Sequence, residues 1–232
     1  MNKKILIVIA VLVVIVGGAL VWYFASSPAK VATNEPSGTS TTNKNNQTAT
    51  ATGKGTLYFT VTDAAVDMGN VSAVNITIDK LDIYSAKQGW VNVVSKPATF
   101  SLLELKAKSM ALLLAKASLP ADTYTQFKLH IAKVSVTELG KIKDANLPSA
   151  TFQMGANVML NGNTNSVVRF DIMADKSIIK SAAGVFTFAP AIKLDSSSNA
   201  TVQVGTDNSV TVFGGLINPS VNAAMDLKGV VK

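Results

Sequence analysis

His130 is the one histidine of the chain, so a Ser-His-Asp relay would have to run through it, with a nucleophile at one ring nitrogen and a carboxylate at the other. It alternates with Lys128 in the stretch Tyr124 to Ile131, where Phe127, Leu129 and Ile131 take the opposite parity. That spacing places it on the polar face of a strand. No G-x-S-x-G turn or similar nucleophile motif accompanies it, and no catalytic residue is expected.

Asp63 and Asp67 bracket the loop after the first strand, and together with Asp79, Asp82 or backbone carbonyls they are the candidates for a hard cation such as calcium. Their spacing follows no known ligand loop, so solvated turn aspartates and no cofactor are the expectation. The 14 acidic residues show no converging pair of the kind glycoside hydrolysis needs. Tyr84 and Trp90 flank the turn at Gln88-Gly89 and are the candidate contacts for a carbohydrate or a protein, with core packing the plainer expectation for Trp90.

The chain has no cysteine, which excludes disulfides, thiolate metal sites, a cysteine nucleophile and a lipidated cysteine. Its net charge of +7 comes from 20 lysines and one arginine spread along the sequence, without the arginine stripe or interleaved aromatics of a nucleic-acid reader. No nucleic-acid partner is expected. A Gly-rich phosphate cradle is also absent, because Gly17-Gly18 falls in an apolar run and Gly214-Gly215 precedes no helix pattern.

Ile5 to Phe24 runs without a charge behind Lys3 and Lys4, and at about 1.5 Å per residue it is long enough for a hydrocarbon core of roughly 30 Å. It reads as a retained signal-anchor helix with the lysines in the cytoplasm and Trp22-Tyr23 at the outer interface. The rival reading is a cleaved signal peptide, which would make the protein secreted. Both export the remainder. Residues 25–54 are rich in Ser, Thr, Asn, Ala and Gly, and read as a disordered stalk that holds the domain roughly 30 Å from the bilayer. Glycosylation sequons stand at Asn46, Asn70, Asn75 and Asn199, with chance occurrence in an Asn- and Thr-rich chain the plainer account.

From Gly55 the apolar period becomes two. Leu57, Phe59 and Val61 alternate with Thr56, Tyr58, Thr60 and Thr62, and Val74, Ile76 and Ile78 repeat the pattern. Leu81 and Ile83 then take the opposite parity, which predicts a bulge or bend at Asp79-Lys80. Leu105 to Lys116 is expected as a turn plus strand, and Thr137 to Ala150 as a loop or insertion. Further strands are expected at Thr151 to Met154, Val158 to Leu160, Val167 to Ile172 and Val185 to Leu194, with a final hairpin around Gly205 to Asn208. Many short strands at this spacing predict one antiparallel β-sandwich over 55–197, with the hairpin and tail of 198–232 packed on it.

Several of these segments, in this order, resemble the prokaryotic family catalogued as domain of unknown function 4382. They are GTLYFTVTDA from Gly55, VNITIDKLDIY from Val74, Gly89-Trp90, FSLLEL from Phe100, LPADTYTQFKL from Leu119, and VRFDI, DKSIIKS and GVFTFAPAIKL between Val168 and Leu194. The resemblance implies an exported sandwich of the prealbumin-like kind found beside carboxypeptidases, and it carries no catalytic residues across. Asp122 departs from the family, whose turn commonly has Gly there. The order of anchor, stalk and sandwich predicts a membrane-tethered, non-catalytic module for contact with a surface protein or polysaccharide. The alternatives are a self-associating structural subunit of a surface assembly, then a hydrolase or its accessory domain.

Overall fold

The computed structural model describes residues 53–63 and 67–232. The anchor at Ile5 to Phe24, nearly all of the stalk and the sequon at Asn46 lie outside them. Among the described residues no helix is long and apolar enough to cross a membrane.

In chain order the strands begin with β1 (Lys54–Thr62), β2 (Val71–Ser85), β3 (Gly89–Asn92) and β4 (Ala98–Ser101), followed by helix α1 (Leu102–Lys108). Then come β5 (Leu112–Pro120), β6 (Asp122–Glu138), β7 (Lys141–Asp144), β8 (Thr151–Leu160) and β9 (Asn165–Ile172), with the single-turn α2 (Ala174–Ser177) after them. The C-terminal part contributes β10 (Ile178–Lys180), β11 (Phe186–Phe188), β12 (Ala191–Ser198), β13 (Thr201–Val204), β14 (Val210–Phe213) and β15 (Leu216–Ala224). One sheet has the order β15-β12-β9-β1-β5; the other is built on the long pair β2 and β6, with β3 and β4 added to β2 and β7 and β8 added to β6.

The two sheets share one core, which makes the fold all-β and sandwich-like. Leu57, Phe59 and Val61 of β1 and Phe170 and Ile172 of β9 are buried in the same cluster as Ile76, Ile78, Leu129 and Ile131 of the second sheet. Phe127 and Phe170 meet edge to face across the two layers, with ring centroids 6.4 Å apart. Among the named strands, pairing is antiparallel except that β1 and β9 run parallel from Thr56↔Asn165 to Thr62↔Asp171. This corrects the expectation of a purely antiparallel sandwich. The physical reason is that β5 through β8 intervene and return the chain to the starting side, so β9 enters beside β1 in the same direction.

The bulge expected at Asp79-Lys80 is present, and it has a counterpart. Ile78 pairs with Ile131, but the next pair in one direction is Lys80↔His130 and in the other Thr77↔Lys133. Asp79 and Ala132 are therefore extra residues on opposite strands, one on each side of the same buried isoleucine pair. Both strands change parity at one level, so Leu81, Ile83, Leu129 and Phe127 stay in the core with Ile76 and Val134.

Other expectations change. Leu102 and Leu105 are buried three residues apart while Lys106 and Lys108 point away, so the start of Leu105 to Lys116 is helical and only its second part is the strand β5. Ser109, at φ 50°, ends that helix. The segment from Thr137 is a hairpin rather than a loop: Leu139 and Gly140 both have positive φ, and β7 returns along β6. The expected pair Thr151 to Met154 and Val158 to Leu160 forms one strand. Pro190, which has no N–H to donate, divides the expected Val185 to Leu194 strand into β11 and β12.

The C-terminal segment is integral. β15 hydrogen-bonds to β12 and completes the first sheet, while the β13–β14 hairpin lays Val202 and Val212 over Tyr58 and Val167 on that sheet's outer face. This covering explains why Tyr58 and Thr60, on the polar parity of β1, are buried as well.

Phe170→Ala should cost about 3–5 kcal/mol in urea denaturation, because it removes the ring that joins both layers. A second outcome concerns Tyr124, a buried residue whose hydroxyl donates to the Pro120 carbonyl at 3.0 Å. Burial, and secondarily the Asp122 charge, pushes its pKa from 10.0 up to about 12. Its contribution to stability is complete below pH 10 and is lost as pH rises through about 12. Tyr124→Phe should cost about 1 kcal/mol at neutral pH and flatten that alkaline loss in pH-dependent unfolding.

Candidate functional site

The second sheet leaves its outer face open where the long strands pass the paired bulges. Leu81, Ile83, Phe127 and Leu129 point inward, so their neighbours point out in three cross-strand rows. Trp90, Tyr84, Gln126 and Gly155 form the first row, Asn92, Asp82, Lys128 and Gln153 the second, and Lys80, His130 and Thr151 the third. Gly89, at φ 67°, closes the tight turn that brings Trp90 back beside Tyr84.

Trp90 is 42% exposed, which corrects the expectation that it packs in the core. β3 is a four-residue edge strand, and its parity turns Val91 toward the core and Trp90 outward. The Tyr84 ring lies 5.3 Å from the indole at an interplanar angle of 50°. Lys128 Nζ sits 4.1 Å above the indole centroid and fixes it by cation–π attraction. The two candidate ligand contacts are thus brought together on one face, with a lysine that sequence reasoning did not associate with them.

Asp82 accepts Lys80 Nζ at 2.9 Å and Asn92 Nδ2 at 3.0 Å. Burial pushes the Asp82 carboxyl upward, but the hydrogen bonds from Lys80 and Asn92 and the charges of Lys80 and Lys128 outweigh it, so the pKa lies below the ordinary carboxylate value. Gln153 Nε2 donates to Gln126 Oε1 at 2.8 Å. The result is a surface of one indole, one phenol and several amide and carboxylate groups. Such a surface can stack the apolar face of a ring and hydrogen-bond its edge.

His130 points outward, as its parity predicts, and Nδ1 meets Asp79 Oδ1 at 2.5 Å. Asp79 is the extra residue of the β2 bulge and reaches across to its partner strand. Two members of a relay are therefore in place, yet among the described residues no hydroxyl is hydrogen-bonded to Nε2. The pair is an orienting contact at the border of the aromatic face.

The remaining candidates are dispersed. Asp63 is buried and its Oδ1 accepts the backbone N–H of Ala174 at the start of α2, at 3.2 Å. Asp67 is exposed and accepts Gly69 N–H at 2.9 Å within its own turn. With Asp79 held at His130 and Asp82 at Lys80, the four carboxylates considered for calcium serve separate places. Among the described residues no group of three or more His, Cys, Asp or Glu could hold a metal ion. Asn70 and Asn199 lie exposed, Asn199 accepting Asn161 Nδ2 at 3.0 Å, while Asn75 is half-buried in β2.

Asp63→Ala should lower stability by about 1–3 kcal/mol, because the buried Ala174 amide loses its acceptor. The wild-type melting temperature should be the same in calcium and in chelator. A calcium-dependent rise would return Asp63 and Asp67 to the list of ligands.

No curated protein and no solved structure matches this chain. The family model described as Domain of unknown function (DUF4382) matches residues 54–190, which is more than half of the sequence and includes every strand of the aromatic face. The chain belongs to that family.

Proposed function

We propose that the protein is a membrane-tethered, extracytoplasmic binding module, without catalytic chemistry of its own, whose contact surface is the open face around Trp90, Tyr84 and Lys128. The observation that carries this reading is the exposed indole flanked by a phenol and by ordered Asn, Gln and Asp side chains. A neutral surface polysaccharide suits it best: the rings stack sugar faces, the amides and Asp82 take hydroxyls, and the charges of Lys80, Asp82 and Lys128 largely balance. Within this reading Ile5 to Phe24 is the anchor, residues 25–54 are the stalk, and the sandwich is of the prealbumin-like kind.

Assembly through sheet edges is the second reading, and most of the edges give it little support. Pro219 stands on β15 opposite an irregular register at Leu194/Ser196, and Ala224 is bonded in both directions to Lys232. On the far side, Leu113 N–H donates to Asn208 and Val210 N–H to Ala111, so the β13–β14 hairpin covers the start of β5. β3, β4 and β7 are only four residues each, whereas the ten-residue β8 pairs with β6 alone and is the longest edge of the second sheet. Short, interrupted or covered edges resist strand addition.

Purified full-length protein in detergent should be retained by insoluble envelope polysaccharide. Trp90→Ala should weaken retention by about tenfold or more, as truncating an aromatic anchor does at a binding surface. His130→Ala should change it little. Retention unaffected by Trp90→Ala would remove the proposed face, and a product formed from the polysaccharide in a His130-dependent way would replace binding by hydrolysis.

A further inference from the structure

The outer face of the first sheet carries a second feature, separate from the aromatic face. The β13–β14 hairpin covers this sheet over Tyr58 of β1 and Val167 of β9. Beside it lies a groove of about 420 Å3. Arg169, Lys193 and Asp195 lie along its floor, Val212 of the hairpin forms one wall, and Ile217 and Ser220 of β15 form the other.

Arg169 is the sole arginine among 21 basic residues, and it stands in this groove. Asp195 is its cross-strand neighbour but is otherwise engaged. Ser220 Oγ donates to Asp195 Oδ1 at 2.5 Å, and Lys193 Nζ lies 3.0 Å from the same oxygen and 3.1 Å from Oδ2. The other cross-strand neighbour of Arg169 is Thr60, whose hydroxyl donates weakly to the Val168 carbonyl at 3.5 Å. Burial raises the Asp195 carboxyl, but hydrogen bonds from Ser220 and Lys193 and the charges of Lys193 and Arg169 hold it below its ordinary pKa; the exposed guanidinium acts on it by charge alone, with no hydrogen bond or close ion pair of its own among the described residues. A guanidinium presents two parallel donors that match a carboxylate, which a lysine does not.

The walls give the second half of the recognition. Ile217 is 87% exposed, and the apolar lining is aliphatic throughout, with no ring on which a sugar could stack. We propose that this groove receives a peptide segment of a partner protein that presents a carboxylate side chain beside an aliphatic one. The carboxylate lies in the fork of Arg169, and the aliphatic side chain lies between Val212 and Ile217. The serine hydroxyls and the Lys193–Asp195 pair border the peptide backbone.

The test is a ligand-observed NMR titration of the full chain in detergent with acetyl-Leu-Glu-Leu-amide and with its Gln counterpart. The Glu peptide should bind, and the Gln peptide should bind about tenfold more weakly, the loss expected for one charge-assisted hydrogen-bonding group. Arg169→Gln should abolish that preference and Ile217→Ser should weaken both peptides, each with an unchanged melting temperature. Trp90→Ala should leave both peptides unaffected, which keeps this result separate from the polysaccharide reading. Equal binding of the two peptides, or a Glu preference that survives Arg169→Gln, overturns the proposal. It is also overturned if a galacturonic acid hexamer binds through Arg169 while the peptides do not, or if Ile217→Ser dissolves a dimer seen by sedimentation.

Discussion

The architecture depends on one matched pair of irregularities, the extra residues Asp79 and Ala132 on either side of Ile78↔Ile131. A single bulge in a long antiparallel pair would leave one strand with its apolar residues in the core and the other with them in water, because side chains alternate with a period of two. Two bulges at one level reverse both strands together. The core then continues unbroken from Val74 and Val136 to Ile83 and Phe127, over strands of 15 and 17 residues. The same device gives the outer face its contents, since Asp79 is left without a ladder partner and uses its carboxylate on His130.

Much of this was legible in the sequence, for reasons that lie in local periodicity. The step from Ile78 to Leu81 breaks the alternation of β2 visibly, and the outward parity of His130 follows from Phe127, Leu129 and Ile131. The complementary step from Ile131 to Val134 is present in the sequence too, but its meaning appears only when β6 is paired with β2. Cross-strand register is a long-range property, and it alone assembles Trp90, Tyr84, Lys128 and Asn92 into one surface. Trp90 departs from the expected burial: a tryptophan's apolar area favours the interior on average, whereas here the parity of a short edge strand gives the inward place to Val91. The parallel pairing of β1 with β9 and the role of β15 were illegible for a related reason: β15 reads as a polar tail until β12 supplies its partner.

The two outer faces of the sandwich differ in chemistry. The face of the second sheet is aromatic and nearly charge-balanced, and its strands fall within the family match. The groove on the first sheet combines Arg169 of β9 with walls from β14 and β15, which lie beyond residue 190, where that match ends.

The central claim is that the face around Trp90 is where the protein meets its ligand. Amide and indole resonances of the isotope-labelled protein, followed during addition of soluble oligosaccharides from envelope polysaccharide, locate the contact directly. The account predicts shifts concentrated at the Trp90 indole N–H, the side-chain amides of Asn92, Gln126 and Gln153, and the backbone of Tyr84 and Lys128. Shifts confined to the β12–β15 side, or none at saturating oligosaccharide, would contradict it.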